Sequence, residues 1–492
     1  MRIISEFETQ FKFGQASLST MVFNLFCRDD ITKFLLGLQH LYNDRKVMKK
    51  ILEFLESNIP VNNIGRPGMS LWRIFVLSLL RQTINADYDR LCNLANNHRE
   101  LRDVLGHSII DSEDYYSLQT IKDNVGLLTD ELMNSINLII VHAGRSVLDK
   151  RLTSELNIKS DSFVVESNIH YPTDSNLLLD AMRSMVNKIK KLSLKNGIKG
   201  WRQGEYRIKL LKKLMRKATN LKRSTSKNPD KQEKRQVLIE ATYSNFINEC
   251  RTLLIKAQDT LSNFLQKDTI SAIERDMISG FMVHAERQID QLHRRIILKE
   301  TIPHSEKVFS VYEDYVEWVC KGKAGVPVEL GLKVCISSDQ HGFILNHQVM
   351  QNQQDADIAV SIIDELKKEF TRIDSASFDG GFYSKANKEA LEKKVGKLVM
   401  RKKGKLSQKE KDCIKSDSEY IKLRKKHSAV ESDINAIEVH ALDRCPDKGL
   451  KHFKRYVSSA IVAYNIHKIG ALAQQKQQKQ EKKLRVHMPT AA

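Results

Sequence analysis

The segment DSFVVESNIHYPTDSNLLLD, residues 161–180, decides which fold and which chemistry are open to the chain, because it joins an acid-rich strand pattern to a helical pattern. Side chains alternate along a strand, so Asp161 and Phe163 share one face and Glu166 lies on the other. Asp174 precedes the helical run and is expected to cap it. Asp161, expected to start a central strand, is therefore the acid best placed for catalysis, although a solvated strand-start carboxylate fits the same pattern.

The charge of the chain is the next informative feature. Its 492 residues contain 80 Lys and Arg against 60 Asp and Glu, a formal net charge of +20. Residues 183–235 alone contain 19 Lys or Arg and 3 acids, a net charge of +16. Solvated helical surfaces normally mix the two signs, so this block predicts binding to the phosphates of nucleic acid.

Composition also excludes several classes of protein. The seven cysteines show no CxxC and no paired spacing, which argues against a disulfide framework or a zinc ribbon and favours a reducing cytoplasm. The N-terminal MRIISEFETQ lacks the apolar core of a signal peptide. The longest apolar stretches, such as LWRIFVLSLL from Leu71, are too short to span a bilayer. We expect a cytoplasmic protein with no membrane partner.

Changes in periodicity predict the domain organisation. Helical spacing predicts a helical N-terminal extension over 1–60 and a compact helical domain over 61–150, which suits DNA binding and a plain scaffold equally. A catalytic domain is predicted over 151–475, interrupted by the basic helical insertion 181–305. The Gln- and Lys-rich tail 476–492 is expected to be disordered.

After the insertion the pattern changes from helices to strands and helices. Strands are predicted over 307–315, 328–339 and 342–350, with a turn at 340–342, and a helix over 355–370 leads to the next strand near 372–381. The predicted fold class is α/β with a mixed sheet. An antiparallel hairpin followed by a helical crossover into a parallel strand is the order of RNase H-like cores.

Asp379 is the second candidate acid. It ends an apolar strand in SASFDGGF and is followed by Gly380 and Gly381. Ligands collect at the carboxyl ends of strands in open α/β sheets, and glycines there let a backbone or phosphate approach closely. A turn-forming Asp-Gly pair is the alternative.

Glu431 is the third candidate acid. Val430, Ile434, Ile437 and Ala441 are spaced as the buried stripe of a helix, and Glu431 lies beside that stripe. A solvated flank is the alternative. Three carboxylates converging from two strands and a helix would repel one another unless divalent cations neutralise them, which predicts two Mg²⁺ or Mn²⁺ ions and phosphodiester chemistry.

These residues stand in blocks that resemble a known family. Over about residues 65–472 the chain resembles the DDE transposases of bacterial insertion sequences, most closely the ISNCY-like group, and its helical domain resembles the N-terminal domain of InsH-like transposases. The blocks are DSFVVESNIHYPTDSNLLLDAMR, GKAGVPVELGLKVCI, SFDGGFYSKANKEAL and HSAVESDINAIEVHALDRCPDKGLKHFKRYV. The resemblance implies Asp161, Asp379 and Glu431 as the catalytic triad and metal ligands. It also implies an RNase H-like core, double-stranded DNA as substrate, and a homodimer that pairs two transposon ends.

Basic residues in three parts of the chain are expected to contact DNA phosphates. They are Lys212, Lys213, Arg216, Lys217, Arg401, Lys402, Lys403, Lys405, Arg444, Lys448, Lys451, Lys454 and Arg455. A solvated helix face is the alternative for those after residue 443. Asn168, His170 and Tyr171 follow the first acid and either line the DNA groove or form a packed turn.

Three positions depart from the family pattern. Related transposases often carry Arg after the second acid, where this chain has Gly380, and many carry Arg and Lys around the Glu where it has His427 and Glu438. Two other functions therefore stay open. One is a transposase relic that binds DNA without cutting it, and the other is an RNase H-like nuclease that cleaves without joining.

Overall fold

The chain forms two compact units. The core unit comprises residues 1–168 and 319–492, and the helical unit comprises residues 169–318. The predicted insertion, 181–305, falls inside the helical unit. The computed structural model describes residues 2–7, 13–60, 68–109, 115–148, 155–223, 228–266, 268–320, 327–402, 404–405 and 407–487.

The N-terminal part of the core unit is helical. Its helices are α1 (Asp30–Asn43), α2 (Arg45–Asn58), α3 (Leu71–Thr83), α4 (Tyr88–Asn97), α5 (Arg99–Val104), α6 (Leu118–Val125) and α7 (Asp130–Val147). Side-chain caps start several of them: Asp29 accepts from the Ile31 N–H of α1, and Ser70 accepts from the Arg73 N–H of α3. Such caps satisfy N–H groups that have no partner within the helix.

A mixed sheet forms the centre of the core unit, and this confirms the α/β class. The strands are β1 (Asn157–Ser167), β2 (Glu317–Cys320), β3 (Val328–Ser338), β4 (Ile344–Met350), β5 (Ser375–Phe378), β6 (Lys397–Met400) and the short β7 (Arg444–Cys445). Strand β3 pairs antiparallel with both β1 and β4, whereas β5 pairs parallel with both β1 and β6. The order across the sheet is β2-β3-β1-β5-β6; β4 also pairs with β3, and β7 pairs with the end of β1.

The helical unit contains α8 (Asp174–Lys195), α9 (Gly204–Lys222), α10 (Pro229–Gln266) and α11 (Ala272–Ile296). A hydrophobic core of its own holds these helices together, with Phe246 and Phe264 fully buried. Trp201 belongs to this core and donates from Nε1 to the Thr260 hydroxyl at 2.9 Å. The unit thus has an apolar interior beneath its basic surface.

The remaining helices belong to the core unit. They are α12 (Asp355–Glu369), α13 (Lys385–Glu392), α14 (Gln408–Ser416), α15 (Ser418–His427), α16 (Ala429–Ile437) and α17 (Leu450–His487), with a π-helical segment at Glu438–Leu442 after α16. The predicted buried stripe of Val430, Ile434, Ile437 and Ala441 is buried, which confirms the face that α16 turns inward.

Helix α17 joins the N-terminal helices to the sheet by packing against α1, α3, α7 and β4. It crosses α1 with the two backbones in contact: a Cβ on Gly37 would lie 2.1 Å from the Ile466 carbonyl oxygen, and one on Gly470 would lie 1.7 Å from that of Lys33. Only glycine fits at this crossing. The helices over 1–150 therefore share one hydrophobic core with the sheet.

Two sequence predictions about local structure were wrong. Residues 307–315 form no strand, because the Ser310 hydroxyl accepts from the N–H groups of Tyr312 and Glu313 and holds a turn there. The cap of α8 is Thr173, which accepts from the Asn176 N–H at 3.2 Å. Asp174 is instead the first residue of the helix and pairs with Arg295 at 2.6 Å.

The tail predicted to be disordered from residue 476 continues as α17 to His487, and 488–492 lie outside the described residues. Its Gln, Lys and Glu residues are good helix formers. Gln474 is buried and donates to the carbonyls of Leu25 and Cys27 at 2.9 and 3.0 Å, and Gln478 also donates to Leu25. The N-terminal segment thereby fixes the start of this tail.

Candidate active site

Asp161 and Asp379 are neighbours across the sheet. In the parallel register of β1 and β5, Ser160 pairs with Phe378, and the next residue on each strand is one of the two acids. Asp379 directly follows β5, at its carboxyl end, as the sequence predicts. Strand β1 begins at Asn157, earlier than predicted, so Asp161 lies within the strand and not at its start. Asp161 pairs with Ile336 of β3, which fixes its backbone on that side.

The environment of Asp161 disfavours its charged form. Its carboxylate is largely buried and accepts one hydrogen bond, from the Ser162 N–H at 2.8 Å. Burial first, and then the negative charges of Asp379, Asp355 and Glu431, raise the pKa of Asp161 to about 6. Asp379, Asp355 and Glu431 thus lie close enough to Asp161 for their charges to disfavour its ionised form.

Glu431 reaches this cluster from the first turn of α16. Two residues further along, Asp433 is buried, pairs with the Lys159 ammonium on β1 at 3.3 Å and accepts from the Ser338 hydroxyl on β3 at 2.7 Å. These contacts hold α16 against two adjacent strands. Glu431 itself is exposed, so its carboxylate points away from the core while its helix is held by a buried partner.

His427 lies in the same cluster. Its Nδ1 is 3.0 Å from the Ser377 hydroxyl on β5, two residues before Asp379. Burial lowers the pKa of His427, although the charges of Asp379 and Glu431 act in the opposite direction. A neutral imidazole between two acids is available as a hydrogen-bond donor or acceptor. His427, one of the departures from the family pattern, is thus half-buried beside the acids.

Asp355 is a fourth acid that the sequence did not single out. As the first residue of α12, it accepts from the Ser162 hydroxyl at 2.7 Å and pairs with Lys333 at 3.4 Å. The close fit continues at Gly381, where a Cβ would lie 2.8 Å from Asp355 Oδ2. The sequence signal for Asp355 was its position as an acid at the start of the helix that follows β4. The same pattern is typical of ordinary helix termini.

The acids of this cluster offer the donor type of a Mg²⁺ site, but no three of these four described acids bring ligand oxygens within 4.8 Å of one another. Asp161, Asp379, Glu431 and Asp355 offer carboxylate oxygens, the donors that Mg²⁺ and Mn²⁺ prefer. Asp379 and Glu431 are exposed, so their oxygens are open to solvent and substrate. Bound cations would relieve the repulsion that raises the pKa of Asp161.

Several of the basic residues expected to bind DNA lie near this cluster. Arg401 directly follows β6 and is exposed, and its carbonyl oxygen would be 3.6 Å from a Cβ on Gly380. Lys402 is half-buried and Lys405 is exposed, whereas Lys403 lies outside the described residues. Arg401 is therefore the basic residue that the fold brings beside the second acid.

The group after residue 443 has mixed surroundings. Lys448 and Lys451 are exposed and Lys454 is half-buried. Arg444 pairs with Glu166 at 2.6 Å. Arg455 is buried, pairs with Asp447 at 2.7 Å and donates to the Gly126 carbonyl, which favours a structural role for it.

In the helical unit, Lys212, Lys213, Arg216 and Lys217 are all exposed along one face of α9, opposite its buried residues. His170 lies 3.4 Å from Asp180, and the Tyr171 ring packs edge-on against Trp318. The His170 side chain is nevertheless 53% exposed and Tyr171 is 62% exposed, so the groove-lining and packed-turn interpretations both stay open. Asn168, the last residue of the core unit, is exposed and donates its N–H to the Cys445 carbonyl.

Comparisons of the chain with protein-family models, curated proteins and solved structures found no match. None of the helices in the described ranges is both long and apolar enough to cross a membrane. The arrangement of the acids therefore carries the functional argument.

Proposed function

We propose that the protein is a DDE-type DNA transposase that uses Asp161, Asp379 and Glu431 for cleavage and strand transfer. The observation that carries the proposal is the convergence of these three carboxylates: burial, and then the charges of Asp379, Asp355 and Glu431, raise the pKa of Asp161 to about 6. Carboxylates held together at such a cost in repulsion are typical of sites that bind cations.

The topology of the sheet supports an RNase H-like core. Its order, β2-β3-β1-β5-β6, has the antiparallel partner β3 on one side of β1 and the parallel strands β5 and β6 on the other, and β4 also pairs antiparallel with β3. Asp161 lies on the central strand, Asp379 directly after the neighbouring parallel strand β5, and Glu431 on α16, which follows β6. This is the order that the sequence predicts for the three acids of such a core.

The proposed reaction has two steps on DNA. Water attacks a phosphodiester at the end of the element and releases a 3′-OH, which then attacks a phosphodiester of the target, so one P–O bond forms as another breaks. Two Mg²⁺ or Mn²⁺ ions held by the acids would lower the pKa of the attacking group and stabilise the leaving oxygen. The protein holds Asp161 and Asp379 on adjacent strands, and the Lys159–Asp433 pair holds the helix of Glu431 over them.

Exposed cations supply the proposed contacts to DNA. Arg401 and Lys405 follow β6, and the basic face of α9 carries four cations with the spacing of one helix face. Phosphate contacts of this kind fix the position of a duplex without reading its sequence. Synapsis of two element ends would require a homodimer or a larger assembly, acting on DNA in the bacterial cytoplasm.

Incubation of the full-length protein with Mg²⁺ or Mn²⁺ and the DNA that flanks its own gene tests this function. We expect nicking at a discrete end and joined products with a target plasmid, both lost in Asp379→Ala. The exposed Asp276→Ala on α11 is the matched control and should keep both. Nicking without joined products would identify an RNase H-like nuclease. Binding without cleavage by the wild type would leave a DNA-binding relic and overturn the proposal.

A further inference from the structure

A second group of possible metal ligands lies in the core unit, built from residues that the active site does not use. It consists of Asp30 at the start of α1, His440 in the π-helical segment after α16, and His467 on α17. One ligand atom from each lies within 4.8 Å of those of the other two. Nε2 of His467 is 3.1 Å from Asp30 Oδ1, and the centroids of the His440 and His467 imidazole rings are 4.8 Å apart.

The hydrogen bond of His440 leaves one of its ring nitrogens available as a ligand. Its Nδ1 is 2.6 Å from the Thr83 carbonyl oxygen, which can only accept, so Nδ1 carries the proton. The Nε2 of a neutral ring then has a lone pair for a metal. Histidine ligands typically donate their other N–H to a backbone carbonyl in this way, which fixes their tautomer and orientation.

The surroundings of His467 favour its neutral form. Burial lowers the pKa of His467 most, and the neighbouring His440 lowers it further, although Asp30 raises it. Lys33 also pairs with Asp30 Oδ1, at 3.0 Å, and a carboxylate has a second oxygen for another partner. The two rings and one carboxylate thus form an N,N,O donor set.

The two helices that carry Asp30 and His467, α1 and α17, are in direct backbone contact. The α1–α17 crossing at Gly37 and Gly470 lies about two turns from Asp30 and about one turn from His467, so direct backbone contact constrains the spacing of those two side chains. Ligand atoms about 2.1 Å from a tetrahedral zinc ion lie about 3.4 Å apart. The ligand atoms here lie within 4.8 Å of one another, so the side chains would have to rotate slightly towards one another to bind the ion. Asp30, with 42% of its side chain exposed, has room for that rotation.

We propose that Asp30, His440 and His467 bind one divalent transition-metal ion of the Zn²⁺ class, with water as a fourth ligand. Imidazole nitrogens suit Zn²⁺ and its neighbours in the first transition row, whereas Mg²⁺ prefers oxygen donors alone. The site is separate from the carboxylate cluster and does not depend on the proposed transposase activity. A bound ion would connect α1 and α17 to the segment that follows α16, the helix that carries Glu431.

Binding of Co²⁺, a spectroscopic substitute for Zn²⁺, to the chelator-treated full-length protein tests this site. We expect one Co²⁺ per chain, a visible absorption band typical of imidazole ligands, and loss of that band when Zn²⁺ is added. His440→Asn and His467→Asn should each weaken binding at least about tenfold. The control His452→Asn changes an exposed histidine on the same helix, α17, and should bind normally.

Two further variants keep the result interpretable. Asp379→Asn removes a ligand from the carboxylate cluster and should leave the Co²⁺ band unchanged. Asp30→Asn keeps the side-chain shape and should weaken binding even if a histidine variant fails to fold. In addition, Zn²⁺ should raise the Tm of the wild type and of His452→Asn but not that of His467→Asn. Absence of the band in the wild type, or its persistence in both His440→Asn and His467→Asn, would overturn the proposal.

Discussion

The ammonium group of Lys159 lies 3.3 Å from a carboxylate oxygen of Asp433, and this buried pair joins the strand of Asp161 to the helix of Glu431. Lys159 and Asp161 share one face of β1, and Asp433 is two residues after Glu431. The pair therefore sets the distance between two proposed catalytic carboxylates without being part of the reaction. Its partners Ser338 and Tyr464 add hydrogen bonds to the same carboxylate.

Asp433→Asn should destabilise the core unit by about 3 kcal/mol, because it leaves the Lys159 ammonium buried without a counter-charge. Urea unfolding at neutral pH measures this change. The control is Glu392→Gln, which breaks the exposed pair with Lys388 on α13 and should cost under about 0.5 kcal/mol. Equal effects of the two substitutions would show that the buried pair does not hold α16.

Asp161→Asn should stabilise the metal-free protein at neutral pH while abolishing catalysis. The folded pKa of Asp161, about 6, lies above the ordinary Asp value, so folding becomes less favourable as pH rises from about 4 to about 6. The neutral amide avoids that penalty, which amounts to at most about 3 kcal/mol. Unfolding midpoints of the two proteins should differ at pH near 7 and coincide at pH near 4. A wild type that is the more stable at both pH values would contradict the raised pKa.

Cleavage at limiting Mg²⁺ should fall as pH drops below about 6, because protonation of Asp161 removes a ligand. Saturating Mg²⁺ competes with the proton and should shift the midpoint of the profile to lower pH. Initial nicking rates at two Mg²⁺ concentrations across the pH range measure both effects. A profile whose midpoint does not move with Mg²⁺ would assign the titration to another group.

Gly381→Ala should impair cleavage more than Gly380→Ala. A Cβ at Gly381 would lie 2.8 Å from the Asp355 carboxylate, which Ser162 and Lys333 hold in place, whereas one at Gly380 has its nearest contact at an ordinary 3.6 Å. Mg²⁺-dependent nicking rates of the two variants, normalised to folded protein, make the comparison. Equal rates would mean that the position of Asp355 is unimportant for the reaction.

Neutralising the basic face of α9 should reduce the salt dependence of DNA binding. Each phosphate contact contributes roughly 0.9 to the slope of log K against log salt, so replacing Lys212, Lys213, Arg216 and Lys217 by Gln should lower it by about 3 to 4. Arg45, Lys46, Lys49 and Lys50 on α2 are exposed with the same spacing and form the matched control. If the two fourfold variants change the slope equally, α9 makes no special contact with DNA.

Sequence periodicity predicted β3, β4, α12 and β5, because the apolar residues of each element recur with the period of a strand or a helix. The sequence did not identify Asp355 as a site residue, because its closeness to Asp161 depends on pairing between strands that are far apart in sequence. The N-terminal helices were predicted as separate domains because helical spacing does not reveal which partner covers a buried face. The contact of Gly37 with Gly470 joins them to the sheet.

That contact also determines when the core unit can finish folding during synthesis. Helix α1 is translated long before α17, which forms the groove that receives it and follows the three proposed catalytic acids in the chain. Contacts of such long sequence separation form slowly and leave apolar surface exposed until they do. A prematurely terminated chain would contain all three proposed catalytic acids and still lack the helix that covers α1, so we expect it to be a substrate for chaperones and proteases.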